Sequence, residues 1–187
     1  LIYQLMKKVL IVTYYWPPMG GGGVQRWLKT TKYLREYGWE PVIFTTENGE
    51  ASVVDEGALK QIPKGVETVK VPIWEPFGLY KKLTGKKKGE KLTPGTVTEK
   101  EASFSQKLSV WIRGNLFIPD PKIYWVKPSV KFLSNKIKEE GIGHIITTGP
   151  PHSMHLIGLG LKKLLPNLRW IADFRDPWSE LDLLDEF

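Results

Sequence analysis

The sequence predicts an α/β fold in which an open, Rossmann-like parallel β-sheet carries helices on both faces. Short apolar runs alternate with segments of helical periodicity over much of the chain, and this alternation is typical of parallel sheets. The first strand, helix and strand, within residues 8–46, have the size of a βαβ crossover. The length of 187 residues suits one domain with a substantial core.

Each predicted strand is a short apolar run, as expected for strands buried on both faces. The five runs are residues 8–14, 40–46, 67–73, 144–148 and 169–174. A helix with Val24, Trp27 and Leu28 on one face should end at Gly38, a natural C-cap. A second helix is predicted to begin at Pro128 and to stop at Gly141, and a third to begin at Ser153.

The middle of the chain differs in composition. Residues 74–100 are rich in Gly, Pro, Thr and Lys and are predicted to form an irregular basic insertion, followed by a helix around 101–114. This insertion contributes much of the net charge of +7. Its lysines would attract a phosphate-bearing or anionic lipid partner, or would form a solvated loop. They are Lys81, Lys82, Lys86, Lys87 and Lys88.

Composition excludes several classes of site. The chain has no cysteine, which excludes disulfides, thiolate metal ligands and a cysteine nucleophile, and is compatible with a reducing cytoplasm. It has neither a DxD motif nor a His/Asp/Glu cluster with metal-ligand spacing, so we predict no metal site. No apolar run approaches the roughly 20 residues of a membrane span, and we expect no signal peptide at the N-terminus.

Three loops of unusual composition follow predicted strands: "YWPPMGGGG", "TTGPPHS" and "DFRDPW". Ligands of open parallel sheets bind at the carboxyl ends of the strands, so these loops predict the site. The first holds Gly20, Gly21, Gly22 and Gly23 before a helix N-terminus, which favours an anion. The alternative is a flexible turn that lets the helix pack on the sheet.

The glycine loop does not match the common nucleotide motifs. No Gly-Lys-Ser/Thr follows it, which excludes a Walker A motif. A dinucleotide fingerprint would need a further glycine at Gln25, although Glu47 could act as the ribose-binding acid. A phosphate-approaching loop is therefore favoured over an NAD site.

The other two loops carry titratable groups. His152 begins a predicted helix and is either a functional imidazole or a capping residue; His155 and His144 are expected to be structural. Asp173, Arg175 and Asp176 follow a buried strand, where charges need partners or a ligand. An Arg–Asp pair bracing the loop is the alternative.

Four segments in this order resemble the N-terminal domain of GT-B glycosyltransferases of family 4, in a branch common in bacterial surface-polysaccharide gene clusters. They are "PPMGGGGVQRW", "FIPDPKIYW", "TTGPPHSMHLIG" and "WIADFRDPW". Such enzymes have two Rossmann-like domains, the first for the acceptor and the second for the nucleotide-sugar donor. The resemblance implies that residues 1–187 are the acceptor-side domain and that the donor-binding domain is absent from this chain, which alone should be inactive.

The resemblance also implies a reaction: transfer of a hexose from a nucleotide diphosphate sugar to a lipid-linked or saccharide acceptor, with retention. The backbone at Gly21–Gly23 would approach the donor diphosphate or sugar, His152 would lie near the donor sugar, and Asp173 and Arg175 would line the cleft. No cofactor besides the donor substrate and no nucleic acid are expected. The resemblance also implies a cytoplasmic location, with the insertion's lysines at an anionic membrane surface.

The residues themselves leave two other functional classes open. One is a non-enzymatic basic module that binds nucleotides or nucleic acid, although RNP, KH and helix-turn-helix signatures are missing. The other is an NAD-dependent oxidoreductase domain that uses Gly20–Gly23 and Glu47.

Overall fold

The computed structural model describes residues 6–51, 53–73 and 118–175. Within these ranges one parallel sheet forms, in the order β3-β2-β1-β4-β5. Its strands are β1 Lys7–Val12, β2 Trp39–Thr46, β3 Glu67–Val71, β4 His144–Gly149 and β5 Arg169–Phe174. The predicted fold class, a Rossmann-like open parallel sheet with helices, is confirmed.

The strand order reverses at the centre of the sheet. From β1 the chain adds β2 and β3 on one side, and then returns to add β4 and β5 on the other. At this reversal Val12 of β1 lies between Phe44 of β2 and Thr147 of β4. The crevice beyond the carboxyl ends of β1 and β4 is where ligands of such sheets bind.

Four helices lie in the described ranges: α1 Gly22–Leu34, α2 Glu56–Leu59, α3 Ile123–Glu140 and α4 Ser153–Leu164. A 3₁₀ turn, Arg35–Tyr37, extends α1. Gly38 and Gly141 follow their helices in the left-handed conformation, with φ of 77° and 64°. Both predicted helix ends are therefore confirmed, since glycine adopts positive φ without a Cβ clash.

The core is divided between the two faces of the sheet because successive strand side chains alternate. Leu10 of β1 packs in one cluster with Leu133 of α3 and Ile157 of α4. Ile11, the next residue, packs in the other cluster with Leu28 of α1. All five side chains are almost completely buried, each contributing about 1.5–3 kcal/mol. Helices thus cover both faces, as predicted.

The predicted start of the second long helix is wrong. The helix α3 begins at Ile123, and Pro128 lies inside it. The indole of Trp125, 1% exposed, stacks on Phe44 at a centroid distance of 4.9 Å. Burying roughly 200 Å² of an aromatic ring is worth about 5 kcal/mol, which exceeds the ~3 kcal/mol cost of an interior proline. Tertiary packing therefore extends the helix past the proline.

Two strands end earlier than predicted. β1 ends at Val12 rather than at residue 14. The next residue, Thr13, still donates its N–H to the Phe44 carbonyl oxygen, while its hydroxyl donates to the Tyr15 carbonyl oxygen at 3.1 Å. β3 ends at Val71 rather than at residue 73; there the Asn48 side chain pairs with both backbone groups of Ile73.

Some predicted features lie outside the described residues. These are the insertion 74–100, the helix around 101–114, Asp176 and the five lysines Lys81, Lys82, Lys86, Lys87 and Lys88. Among the helices that the structure does describe, none has the length and apolarity to cross a bilayer.

Candidate functional site

The three predicted loops meet at the carboxyl edge of the sheet, and Arg175 links them. Its Nε donates to the Gly149 carbonyl oxygen at 2.5 Å and its Nη2 donates to that of Pro150 at 3.3 Å. A Cβ on Gly23 would lie 2.6 Å from Nη1 of the same guanidinium. The side chain therefore runs from the end of β5, past the loop after β4, to the first turn of α1.

The four consecutive glycines have different surroundings. The Gly20 N–H donates to the Val53 carbonyl oxygen at 2.8 Å, and a Cβ there would lie 2.9 Å from Val53 Cγ1. Gly21, the residue before α1, has a φ of +103°, which disfavours any other residue. Gly23 leaves room for a guanidinium, as described above. A Cβ on Gly22 would meet nothing within 4 Å. Of the four glycines, Gly22 is therefore the one at which no contact or backbone angle of the described residues requires glycine.

The N-terminus of α1 is open. The N–H groups of Gly21, Gly22 and Gly23 have no hydrogen-bond partner among the described residues, and the first turn has neither a side-chain cap nor an acidic residue. The Nη1 of Arg175 likewise has no hydrogen-bond partner in the described ranges. Free N–H groups, the helix dipole and a cation thus converge, an arrangement that favours an anion.

The N-terminus of α4, at the same edge, is closed. Asp120 Oδ2 accepts from the backbone N–H of Ser153 at 2.8 Å, and Oδ1 accepts from its hydroxyl at 2.9 Å. Oδ1 also accepts from the backbone N–H of Lys122 at 2.8 Å, which orders the start of α3. The carboxylate already fills the place that a phosphate would take, so α1 is the N-terminus left for an anion.

Asp173 is held by three side chains. Its Oδ2 accepts from Trp27 Nε1 at 3.2 Å and from the Thr148 hydroxyl at 3.0 Å. Its Oδ1 lies 3.0 Å from Nη2 of Arg26, and the Asp173 side chain is 13% exposed. The brace that the sequence left as an alternative therefore exists, but its arginine is Arg26 of α1. Asp173 ties β5 to β4 and α1, while its role toward a substrate stays a prediction.

A chain of hydrogen bonds holds one edge of the His155 ring. Trp170 Nε1 lies 3.0 Å from Thr147 Oγ1, which lies 2.9 Å from His155 Nδ1. An indole N–H only donates, so the Thr147 hydroxyl oxygen accepts from Trp170. The hydroxyl proton can point to an unprotonated Nδ1, and the second lone pair of the oxygen can accept from a protonated Nδ1, so both neutral tautomers fit this network. The other ring nitrogen, Nε2, is buried and has no hydrogen-bond partner in the described ranges.

His155 is neutral at pH 7. Burial, followed by the neighbouring His152, lowers its pKa from 6.5 to about 4. The ring is 6% exposed and packs against Phe174 at a centroid distance of 4.0 Å. This environment agrees with the structural role expected for His155.

His152 lies beside His155 at the start of α4. A Cβ on Gly149 would lie 2.9 Å from His152 Nδ1 and 2.8 Å from His155 Nε2. The two imidazoles therefore require glycine at this point of the "TTGPPHS" loop. His152 is half-buried and lies at the same edge as Arg175, as the sequence predicted.

Several residues of this edge were not predicted from the sequence, namely Arg26, Trp27, Asp120, Thr147, Thr148 and Trp170. Only Asp120 carried a recognisable signal, an aspartate three residues before the first residue of α3. The others act through partners on distant segments, which no local pattern encodes.

Glu47 follows β2 at the same edge. It lines a cavity of about 210 Å³ together with Trp16, Thr46 and Lys70, among others, smaller than the roughly 300–1,000 Å³ of pockets for drug-sized ligands. Among the described residues, no group of three or more His, Cys, Asp or Glu side chains could hold a metal ion.

Neither a protein-family model nor a curated protein matches the sequence. Among solved structures, the chain is similar to a glycosyltransferase from Rickettsia africae, with 13% identity and a TM-score of 0.46 over 96% of this chain and 32% of that one. It is also similar to the C-terminal domain of a hydrogenase from Pyrococcus furiosus, with 10% identity and a TM-score of 0.42 over 89% and 91% of the two chains. The chain thus spans about a third of the length of the Rickettsia protein. Similarities this low carry no conclusion about function.

Proposed function

We propose that this chain is the acceptor-side domain of a glycosyltransferase. The enzyme would transfer a hexose from a nucleotide diphosphate sugar to a lipid-linked or saccharide acceptor, with retention. The observation that carries the proposal is the open N-terminus of α1 beside the guanidinium of Arg175, at the reversal of strand order. The four-segment resemblance supports the choice of sugar transfer among anion-binding functions.

Sugar transfer needs stabilisation of the negative charge on the departing diphosphate. The free N–H groups of Gly21–Gly23 and the Arg175 guanidinium are donors that require no rearrangement to meet that charge. An anion at a helix N-terminus gains about 0.3–1 kcal/mol, and a hydrogen bond to a charged group about 1.5–3 kcal/mol. A Cβ on Gly22 would project into the space left for the diphosphate.

The remaining residues would act beside that anion. His152 would hydrogen-bond the donor sugar, while Asp173 would hold α1, β4 and β5 in place around the reacting groups. Arg175 holds the carbonyl oxygens of Gly149 and Pro150, so a diphosphate bound to Arg175 would order the loop that carries His152. The donor-binding domain would come from a part of the enzyme outside this chain, and the chain alone should transfer no sugar at a measurable rate.

The test is anion binding by the 187-residue chain, measured by calorimetry with pyrophosphate and with UDP-glucose. Arg175→Gln should weaken pyrophosphate binding roughly 10- to 100-fold, the worth of one charge-assisted contact. Arg169→Gln is the matched control, since Arg169 is an exposed arginine at the opposite end of β5. Equal losses in the two variants, or tighter binding of NAD or of a DNA duplex than of UDP-glucose, would contradict the proposal.

A further inference from the structure

A small pocket lies beside the anion site, at the carboxyl ends of β2 and β3. The loops after β1 and β2 line its cavity of about 210 Å³, together with one residue of β3. Its lining residues include Trp16, Met19, Thr46, Glu47 and Lys70, and we call it the β2 pocket. At ~30 Å³ for each molecule of liquid water, the cavity has the volume of about seven waters. That volume suits a single sugar ring and is too small for a nucleoside diphosphate.

The two charged side chains that line the β2 pocket are exposed and unpaired. Neither Glu47 nor Lys70 forms a side-chain hydrogen bond or an ion pair with a described residue. Because their charges are opposite, the β2 pocket favours a neutral polar ligand over an anion. A carboxylate accepts hydrogen bonds and an ammonium group donates them, and a ligand with several hydroxyl groups can meet both.

Two buried polar atoms in the wall of the β2 pocket also lack partners. Trp16 is 1% exposed and Thr46 is 4% exposed. Neither Trp16 Nε1 nor Thr46 Oγ1 has a hydrogen-bond partner in the described ranges. Buried polar groups are costly when they are left unpaired, and the hydroxyl groups of a ligand would supply the missing partners.

The backbone around the β2 pocket is already ordered and leads directly to the anion site. The Gly20 N–H donates to the Val53 carbonyl oxygen, and the Asp55 N–H donates to the Pro18 carbonyl oxygen, both at 2.8 Å. These bonds join the loops after β1 and β2, so little ordering is needed when a ligand binds. Gly20 is followed by Gly21, the first of the free N–H groups at α1, so the β2 pocket adjoins the place of the anion.

We propose that the β2 pocket binds a neutral hexose ring, the end of the acceptor that receives the transferred sugar. Glu47 accepts from hydroxyl groups of that ring, and Lys70 donates to them. The role as acceptor rests on the proposed function, because a ring bound here lies beside the diphosphate that leaves the donor. The binding of a hexose rests on the size, charge and unpaired groups of the pocket itself.

The experiment is a titration of the nitrogen-labelled 187-residue chain with the methyl glycosides of glucose, galactose and mannose. At least one glycoside should shift the indole N–H signal of Trp16 to saturation in NMR spectra, with the signal assigned by its absence in Trp16→Phe. The indole of Trp125 is the internal control, because its Nε1 is also buried and unpaired but belongs to the other core cluster. Its signal should not move.

Glu47→Ala and Lys70→Ala should each weaken binding of that glycoside about tenfold or more, the worth of one hydrogen bond to a charged group. Neither variant should change the urea midpoint, since neither side chain has a described hydrogen bond or ion pair to lose. The matched controls are Glu139→Ala and Lys138→Ala, at exposed positions near the end of α3, and both should bind as the wild type does.

The proposal is overturned if no glycoside gives a saturable shift at Trp16, or if the control variants weaken binding as much as the pocket variants do. Pyrophosphate binding by the same chain tests the proposed function separately. If pyrophosphate binds and no glycoside does, the hexose pocket is wrong and the anion site stands. If a glycoside binds as described and pyrophosphate does not, the hexose pocket stands and the proposed function fails, and with it the role as acceptor.

Discussion

Acid should destabilise this protein through His155, and the size of the effect follows from its surroundings. The folded-state pKa is about 4, against 6.5 for an exposed imidazole, because the ring is buried. Between these values the unfolded chain binds a proton that the folded chain does not. The contribution is therefore fully present above about pH 6.5 and is lost as the pH falls toward 4.

The difference in pKa corresponds to about 3 kcal/mol, at 1.36 kcal/mol per pH unit. The ring is only 6% exposed, so solvent screens little of this amount. A loss of about 3 kcal/mol is a large fraction of the 5–15 kcal/mol by which domains are stable. Urea denaturation followed by tryptophan fluorescence, at several pH values between 4 and 7.5, measures it.

The comparison protein is His155→Asn, whose amide can hydrogen-bond to Thr147 as donor or acceptor but does not titrate. Its free energy of unfolding should fall about 3 kcal/mol less than that of the wild type between pH 7 and 4. Other groups have lowered pKa values, such as Glu140, hydrogen-bonded to Lys136, and the half-buried His144, and their contributions to stability are lost over part of the same range. They are present in both proteins and cancel in the difference. Parallel stability curves for the two proteins would refute the assignment of the lowered pKa to His155.

Three further predictions concern the same edge of the sheet. Nitrogen NMR of the imidazoles at pH 6 should find His155 neutral, because burial lowers its pKa to about 4, and a doubly protonated His155 ring at that pH would contradict this. Gly23→Ala should lower pyrophosphate affinity because its Cβ displaces the Arg175 guanidinium, and Gly22→Ala should lower it because its Cβ projects into the space of the anion. Gly22→Ala should at the same time raise the free energy of unfolding by about 0.5–1 kcal/mol, since its Cβ meets no described atom; an unchanged pyrophosphate affinity in either variant would contradict this. Asp120→Ala should lower the free energy of unfolding by about 1–3 kcal/mol, and an unchanged urea midpoint would show that the Asp120 hydrogen bonds are not needed.

The sequence predicted the sheet because the evidence for parallel strands is local. Apolar runs and the glycines at helix ends, such as Gly38 and Gly141, are readable residue by residue. The start of α3 was not predicted, because the burial of Trp125 against Phe44 is a tertiary contact that outweighs the propensity of Pro128. A pattern within one segment does not contain that energy.

The place of the candidate site could be predicted from the sequence, whereas its side-chain pairs could not. That three loops share one edge follows from topology, since parallel strands end at the same side. Which side chains pair across that edge does not follow: Asp173 meets Arg26 from α1, and Asp120 meets Ser153 from a helix far along the chain. Such partners depend on the register of β4 against β5 and on the placement of α1, which only the structure supplies.

The pairing also explains why an anion would bind at one helix rather than two. Both α1 and α4 point their N-termini at the crevice, but the Asp120 carboxylate already meets the backbone N–H of Ser153 at α4. At α1 no described carboxylate accepts from the free N–H groups, and the Arg175 guanidinium, of the same sign as the helix end, lies against Gly23. That juxtaposition is unfavourable by itself and becomes favourable when a negative group lies between them. The glycines leave room for one: Gly23 for the guanidinium and Gly22 for the anion.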